Sequence, residues 1–290
     1  MKILVTGANG QLGSEFQYLA PGSRHQLLFC DIDEMDLSKE NSIKSYLASQ
    51  EMDAIIHCGA YTKVDDAEDN RSLAHAINAE APGIIAKHCA QNNIRLIHIS
   101  TDYVFDGQGY SPITEENTPN PLSVYGNSKL KGEKNILRQL ENAYIIRTSW
   151  VYSSYGSNFV KTMLKLGKER EALSVVYDQI GTPTYARDLA ASILHIVDQW
   201  RTTDQPGIYN YSNEGVTSWY DFAKSIFDIG KIACIVSPIL SSGYPTKAAR
   251  PPFSVLSKEK ISKTFNLTIP HWKDSLIECI DSLNANNSLK

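Results

Sequence analysis

The stretch Met1-Lys2-Ile3-Leu4-Val5-Thr6-Gly7-Ala8-Asn9-Gly10-Gln11-Leu12-Gly13 decides the fold of this 290-residue chain. Residues 1–6 form a short apolar run of strand character. Glycines follow at positions 7, 10 and 13, and Ser14-Glu-Phe-Gln-Tyr-Leu19 then reads as a helix. Strand, glycine turn and helix in that order suit the first turn of a dinucleotide site. Gly7 allows the tight turn, Gly10 lets backbone approach a pyrophosphate, and Gly13 lets the helix lie close on the strand. The phosphates are expected at the helix N-terminus, where free N–H groups point outward. Asn9, Gln11 and Leu12 fall inside the same loop and are read as cofactor-facing with the glycines.

The next strand-like run ends in Asp31-Ile32-Asp33. A carboxylate about 20 positions after the glycines is placed to accept from the ribose 2′-OH. That favours NADH. A 2′-phosphate would prefer an arginine, and none follows this strand directly, but NADPH stays open. Ile32, Asp36 and Leu37 come next and are read as flanking the adenine. A third apolar run, Asp53-Ala-Ile-Ile-His-Cys58, leads into Gly59-Ala60-Tyr61-Thr62, read as a second cofactor-facing loop.

Strand and helix signals keep alternating: a long helix over 72–91, a strand over 94–100, a helix over 122–140 and a strand over 143–148. The alternation predicts an α/β fold, a Rossmann-type doubly wound parallel sheet with helices on both faces. Ligands in such sheets bind beyond the C-terminal strand ends. Thr6, Asp31, Gly59, Thr101 and Trp150 all fall at or just past such ends, so one site is expected to gather them. After about residue 150 the pattern loosens. Helices are expected over 158–167, 186–200, 217–228 and 271–283, a strand over 207–211, and a Pro- and Gly-rich loop over 241–253 covering the site. The division expected is 1–150 for NAD(P) and 151–290 mainly for a smaller substrate lobe, with some chain returning to the first core. Residues 284–290 read as a frayed polar tail.

Tyr125 and Lys129 lie four residues apart, on one face of the helix over 122–140. A phenol has an ordinary pKa of about 10. A cation beside it favours the phenolate and eases release of the proton. By chance, a chain of this length holds about 0.5 Tyr-x-x-x-Lys pairs, and a second pair, Tyr220 and Lys224, sits in an amphipathic run. Context separates the two, because only Tyr125 follows a glycine loop and a Ser100-Thr101-Asp102 strand end.

Composition narrows the rest. The net charge is −4, the basic residues are scattered, and hydrophobic residues make up 42%. These values give a full core and no nucleic-acid surface. Five cysteines lie far apart without a C-x-x-C, which reads as buried free thiols in a reducing compartment. No signal-like segment precedes the first strand, and no apolar run reaches membrane-spanning length. The expectation is a cytoplasmic protein with no membrane partner.

Together, Thr6-Gly-x-x-Gly-x-x-Gly13, Thr101 and Tyr125-x-x-x-Lys129 resemble the extended short-chain dehydrogenase/reductase family. Five further runs narrow the resemblance: Ser100-Thr-Asp-Tyr-Val-Phe-Asp-Gly107, Tyr125-Gly-x-Ser-Lys-Leu-x-Gly-Glu133, Arg147-Thr-Ser-Trp-Val-Tyr152, Asp178-Gln-x-Gly-x-Pro-Thr184 and Arg250-Pro-x-x-Ser-x-Leu256. In this order they look like the dTDP-4-dehydrorhamnose reductases, over nearly the whole chain. The resemblance implies hydride transfer from NADPH or NADH to C4 of a dTDP-linked 4-keto sugar, with Tyr125 protonating the oxygen, Lys129 holding the nicotinamide ribose and Thr101 donating to the carbonyl. It implies sugar contacts at Thr101, Asp102 and Trp150. Arg250 is read as the diphosphate contact, because a guanidinium forks onto phosphate oxygens. Some members hold Mg²⁺ between subunits through acidic residues; Glu15 matches one such position, with Asp188 the nearest further candidate. Both a monomer and a homodimer are consistent with that. Two other readings stay open: another nucleotide-sugar reductase or epimerase of the superfamily, and a non-catalytic NADP-binding regulatory subunit of methionine adenosyltransferase.

Overall fold

The computed structural model of the chain describes residues 1–288, with side chains described to residue 285. Six strands, β1 (Lys2–Thr6), β2 (Gln26–Cys30), β3 (Ala54–His57), β4 (Arg95–Thr101), β5 (Tyr144–Thr148) and β6 (Gly207–Tyr211), form one sheet. Their order is β2-β1-β3-β4-β5-β6, and every neighbouring pair is parallel. The chain runs from β1 outward to β2, then crosses back to β3 on the other side of β1. The switch point therefore lies between β1 and β3, where such sheets open a crevice at their C-terminal ends. The expectation of a doubly wound parallel sheet holds.

Helices α1 (Gln11–Leu19), α2 (Glu40–Ala48), α3 (Ala81–Asn92), α4 (Val124–Gln139), α5 (Phe159–Glu169), α6 (Ala186–Gln199), α7 (Trp219–Gly230) and α8 (Trp272–Ser288) carry most of the remaining order. The strands read as nearly unbroken apolar runs because both sheet faces are covered. On one face Ile3, Val5, Ile56 and Ile97 meet Phe16 of α1 and Leu189, Ile193 and Ile196 of α6. On the other, Leu4, Ile55, Leu96 and Ile145 meet Ile43 and Leu47 of α2, Ile85 of α3 and Ile136 of α4. Each such side chain, fully buried, stabilises by about 1.5–3 kcal/mol. Helix α6 and strand β6 thus belong to the core of the N-terminal strands. A separate aromatic cluster joins α5, α7 and α8 through Tyr152, Tyr185, Phe222 and Trp272.

The helix expected over 72–91 is interrupted. Residues Arg71–His75 are α-helical, Ala76–Glu80 form a π segment, and α3 follows. Pro82 has no N–H to give to the carbonyl of Asn78, and its ring would crowd that oxygen, so the ladder widens. Ala81 accordingly donates five residues back, to Ala76. The widening leaves Asn78 free to hold the loop after β3: it donates to the Tyr61 carbonyl and to Ser128 Oγ, and its own oxygen accepts from Tyr61 N–H at 2.8 Å.

Helix α4 starts at Val124 because Ser123 caps it, its hydroxyl accepting from Gly126 N–H at 3.1 Å. Asn158 and Ser218 cap α5 and α7 in the same way. Helix α8 runs to Ser288, past the point where a frayed tail is expected, with Leu283 packed on the aromatic cluster; residues 289–290 of that expected tail lie outside the described residues. Among the described residues no helix is long and apolar enough to cross a membrane. All five cysteines are free; Cys30, Cys89 and Cys279 are buried, while Cys58 and Cys234 are half-buried rather than buried as expected.

Candidate active site

At the end of β1 the chain turns at Gly7 with φ +67°, and a Cβ there would lie 2.7 Å from the Gly59 Cα. The first glycine turn and the loop after β3 therefore abut, and only a residue without a side chain fits between them. A Cβ on Gly13 would sit 2.2 Å from the Gly7 carbonyl oxygen, so this glycine sets how closely α1 lies on the turn. Gly10 precedes α1 with no side-chain cap. The first-turn N–H groups are left for an anion.

Asp31, just past β2, ties this turn to the neighbouring strand. Its Oδ2 accepts from Asn9 N–H at 2.7 Å and its Oδ1 from Ile32 N–H at 2.8 Å. Asn9 is exposed, and it is its backbone N–H that meets Asp31.

The crevice is a cavity of about 810 Å³ at the switch point. Of the residues expected at a cofactor, Gly7, Gly10, Gln11, Leu12, Gly13, Asp31, Ile32, Asp36, Leu37, Ala60 and Thr62 line it. Thr101, Asp102, Tyr125, Lys129 and Trp150 line it as well. Asn9, Tyr61, Arg250 and Glu15 are not on its wall. Tyr61 is turned onto the small cluster around Tyr125, Ala67 and Ala74.

Tyr125 and Lys129 lie on the buried face of α4. Burial pushes the Tyr125 phenol above its ordinary range, opposed first by a hydrogen bond with Thr101. The sequence reading expects the lysine to pull the phenol down. Instead burial dominates, and the Lys129 ammonium is engaged elsewhere: it donates to the Ile99 carbonyl at 2.6 Å and contacts His98 Nε2 at 3.3 Å. The tyrosine is therefore protonated at neutral pH, the form a proton donor needs. Burial also lowers Lys129 to about 8, opposed first by Glu133.

Thr101 ends β4. Its hydroxyl donates to Asp102 Oδ1 at 3.0 Å and accepts from Tyr103 N–H at 3.2 Å. Asp102 is almost wholly buried, with Oδ2 unpaired, and burial raises its carboxyl to about 7. A buried acid oxygen without a partner among the described residues, on a cavity wall, is placed to take part in a hydrogen bond.

Trp150 follows β5 in a left-handed conformation, φ +47°. A bulky residue held there is strained, and such strain concentrates at binding sites. Its indole stacks on Trp219 of α7 at 3.6 Å, and on its other contacts a Cβ at Gly181 would lie 2.7 Å away. Trp219 escaped the sequence reading. The signal available was an aromatic directly after a Ser218 cap, which reads as ordinary core.

Arg250 stands behind the wall, donating to Asp65 Oδ2 at 2.8 Å and to the Tyr103 hydroxyl at 3.1 Å. Lys247 pairs with Asp69 and the Ala248 N–H donates to Asp65. The loop over 241–253 is thus laid along the short helix Val64–Ala67.

Glu15 is not presented as a metal ligand. It is fully buried, accepts from Ser153 Oγ at 2.6 Å, and forms an ion pair with Arg187 at 2.9 Å. Asp188 is committed to Asn213 and Ser275. Among the described residues no group of three or more His, Cys, Asp or Glu is gathered to hold a metal. Both oxygens of Glu15 are used inside the fold, so the expected Mg²⁺ position does not fit.

Comparison with known proteins agrees with this arrangement. The family model described as RmlD substrate binding domain matches residues 1–285. A dTDP-4-dehydrorhamnose reductase of Aggregatibacter actinomycetemcomitans is 38% identical over 284 residues, covering 95% of this chain and 97% of that protein. The crystal structure of a dTDP-4-dehydrorhamnose reductase from Clostridium acetobutylicum superposes with a TM-score of 0.93 at 39% identity, covering 98% of this chain and 100% of that one. That of the Bacillus anthracis dTDP-4-dehydrorhamnose reductase, solved in complex with NADP, gives 0.91 at 38% identity, covering 97% and 99%. With a full-length family match and relatives of this identity, the chain belongs to the RmlD substrate binding domain family, the family of the dTDP-4-dehydrorhamnose reductases.

Proposed function

We propose that this protein reduces dTDP-4-dehydro-6-deoxy-L-mannose (dTDP-4-dehydro-β-L-rhamnose) to dTDP-L-rhamnose with NAD(P)H. The observation that carries the reading is that a protonated Tyr125, Thr101 and Lys129 share one cavity wall with the glycine turn. The names of the relatives support the substrate, and the NADP complex of one of them supports the cofactor class.

The residues present fit a dinucleotide. The Gly7 and Gly13 positions exclude a side chain, which leaves backbone N–H groups of the turn and of α1 to hold the diphosphate. When bound, NAD(P)H supplies the hydride. Tyr125 holds at its phenol oxygen the proton that the sugar oxygen takes up. Thr101 turns toward the same oxygen the hydroxyl proton that it gives to Asp102 here, and its contact with Tyr125 orients the phenol. Lys129 offers its remaining N–H to the nicotinamide ribose. Asp102 and Trp150 position the sugar, the indole presenting an apolar face. Arg250, neutralised by Asp65 here, reaches the substrate diphosphate by exchanging one anion for another. We assign residues 1–150 mainly to the cofactor and 151–290 mainly to the substrate; Gly156, Ser157 and Asn158 line the cavity from the second half.

Asp31 is the proposed reader of the adenosine ribose. Asp31→Ala is expected to weaken NADH more than NADPH, measured as the ratio of the two dissociation constants. Because Asp31 also holds the Asn9 N–H, some loss for both is expected. Equal losses would remove its part in discrimination.

The deciding experiment is NAD(P)H oxidation at 340 nm with the dTDP-linked 4-keto sugar made in situ, beside the GDP-linked 4-keto-6-deoxy sugar. Oxidation with the dTDP sugar alone, yielding dTDP-L-rhamnose, is expected. Turnover of the GDP sugar alone would move the chain to a sibling reductase. Tight cofactor binding without turnover of either would make it a binding protein.

A further inference from the structure

Two histidines lie buried beneath Lys129, and the reaction as drawn uses neither. They occupy one row of the sheet. Thr6, His57 and His98 are register partners across β1, β3 and β4. Each sits two residues beyond a leucine or isoleucine of the core, Leu4, Ile55 and Leu96, that faces α2–α4. Side chains two apart share a sheet face, so this polar row points at the same helices, and Lys129 of α4 lies above it.

The contacts are specific. His57 Nδ1 is 2.7 Å from Thr6 Oγ1, which also accepts from the Gly59 N–H. The His57 and His98 rings lie 5.2 Å apart. His98 Nε2 lies 3.3 Å from Lys129 Nζ. Both rings are at most 1% exposed. A buried imidazole costs stability unless its nitrogens are hydrogen-bonded.

We propose that His98 is a positioning residue for Lys129: its neutral Nε2 and the Ile99 carbonyl each accept one N–H of the ammonium, leaving the third for the cavity. This rests on the reductase reading above and extends it to a residue outside the cavity wall. The chemistry fixes the tautomer. An ammonium has three donors and no lone pair, so beside a charged Lys129 the His98 Nε2 is bare and the proton sits on Nδ1, which finds no partner among the described residues. A protonated His98 would lose the acceptor and set a second cation beside the first. Burial and the nearby Lys129 both hold His98 well below the usual imidazole range, and burial takes His57 down to about 3, so both rings are neutral at working pH. His57, fixed by Thr6, backs the His98 ring. The other titratable groups that face Lys129 are Cys58 after β3 and Glu133 on its own helix, and both favour the ammonium.

Lys129 Cε and Nζ shifts followed by NMR through a pH titration, assigned against Lys129→Met, test the proposal without substrate. In His98→Leu the buried ammonium loses an acceptor, so its midpoint is expected to fall by about one unit or more. In His98→Gln, where the amide oxygen can accept, the midpoint is expected to return toward wild type. The alkaline limb of turnover should move with it. An unchanged midpoint in His98→Leu, whatever happens to thermal stability, would overturn the proposal. Should that variant not fold, the ¹⁵N shifts of wild-type His98 decide: a protonated Nε2 is incompatible with accepting from Lys129. Absence of turnover in the wild type would sink the reductase reading and leave this titration intact.

Discussion

Tyr125→Phe is expected to lower kcat by about 10²–10⁴-fold, the usual worth of a positioned general acid, while NAD(P)H binding stays close to wild type. The substitution removes one oxygen and keeps the ring. The ring packs edge-on against Tyr103 at 5.5 Å, and that contact survives. What disappears is the proton and the partner of Thr101. The phenol is raised by burial, so it carries its proton throughout the neutral range and is not what limits activity as pH rises. Lys129, lowered to about 8, loses its charge first. The wild-type profile should therefore decline on the alkaline side near that value, through the group that holds the ribose rather than the group that gives the proton. Stopped-flow hydride transfer with saturating cofactor, beside a fluorescence titration for binding, separates the two effects. Turnover equal to wild type would take the donor role away from Tyr125.

The parts of this site that the sequence discloses are those that backbone chemistry dictates. A glycine is required wherever a Cβ would strike backbone, and Gly7 and Gly13 are such places. Their spacing after an apolar run therefore announces the turn, the first strand and the switch point together. Tyr125 and Lys129 were legible because helical spacing puts them on one face. The π segment at Ala76–Glu80 was partly legible, since Pro82 stands inside an otherwise regular helical pattern, but a proline can end a helix, kink it or widen it. The bond from the Ala81 N–H to the Ala76 carbonyl, five residues back, shows that here it widens.

What the sequence hid depends on partners far apart in the chain. His98 sits inside an apolar strand and looks like an interruption of core until Lys129 is seen above it, 31 residues later. Trp219 looks like one more aromatic on an amphipathic helix until its stack on Trp150 appears. Arg250 reads in the sequence as a diphosphate contact, and its pairing with Asp65, 185 residues earlier, has no local sign. Glu15 matches a metal-ligand position only through the resemblance, and its partner Arg187 gives no local sign. Carboxylates are the hardest residues to place from sequence, since a solvated, a paired and a ligating carboxylate all look the same.

Glu133→Ala should be the most destabilising single change on α4, by about 3–5 kcal/mol, because it strips the partner from a buried cation. Glu133 and Arg147 are each 2% exposed at the side chain. The guanidinium forks onto the carboxylate, Nε to Oε1 at 2.9 Å and one Nη to Oε2 at 2.7 Å, and Ser100 Oγ donates to Oε1 at 2.5 Å. The other Nη of Arg147 is already unpaired, and the guanidinium lies over the Phe105 ring at 5.0 Å, so among the described residues Glu133 is the one carboxylate paired with it. The double variant Glu133→Leu with Arg147→Met removes both charges and should recover most of the loss, since buried pairs are often replaced by apolar groups at little cost. Urea unfolding of the two variants beside wild type checks this; a loss below about 1 kcal/mol in Glu133→Ala, the scale of an exposed pair, would show that water reaches Arg147. The consequence for the site follows from spacing. Tyr125, Lys129 and Glu133 occupy successive turns of one helix face, donor, cation and anion, and the Glu133 carboxylate does most to keep Lys129 charged against burial. Even the double variant, with its stability restored, should therefore titrate Lys129 at a lower pH than wild type. The ion pair beneath α4 would then be a stability element whose removal is still felt at the reacting end.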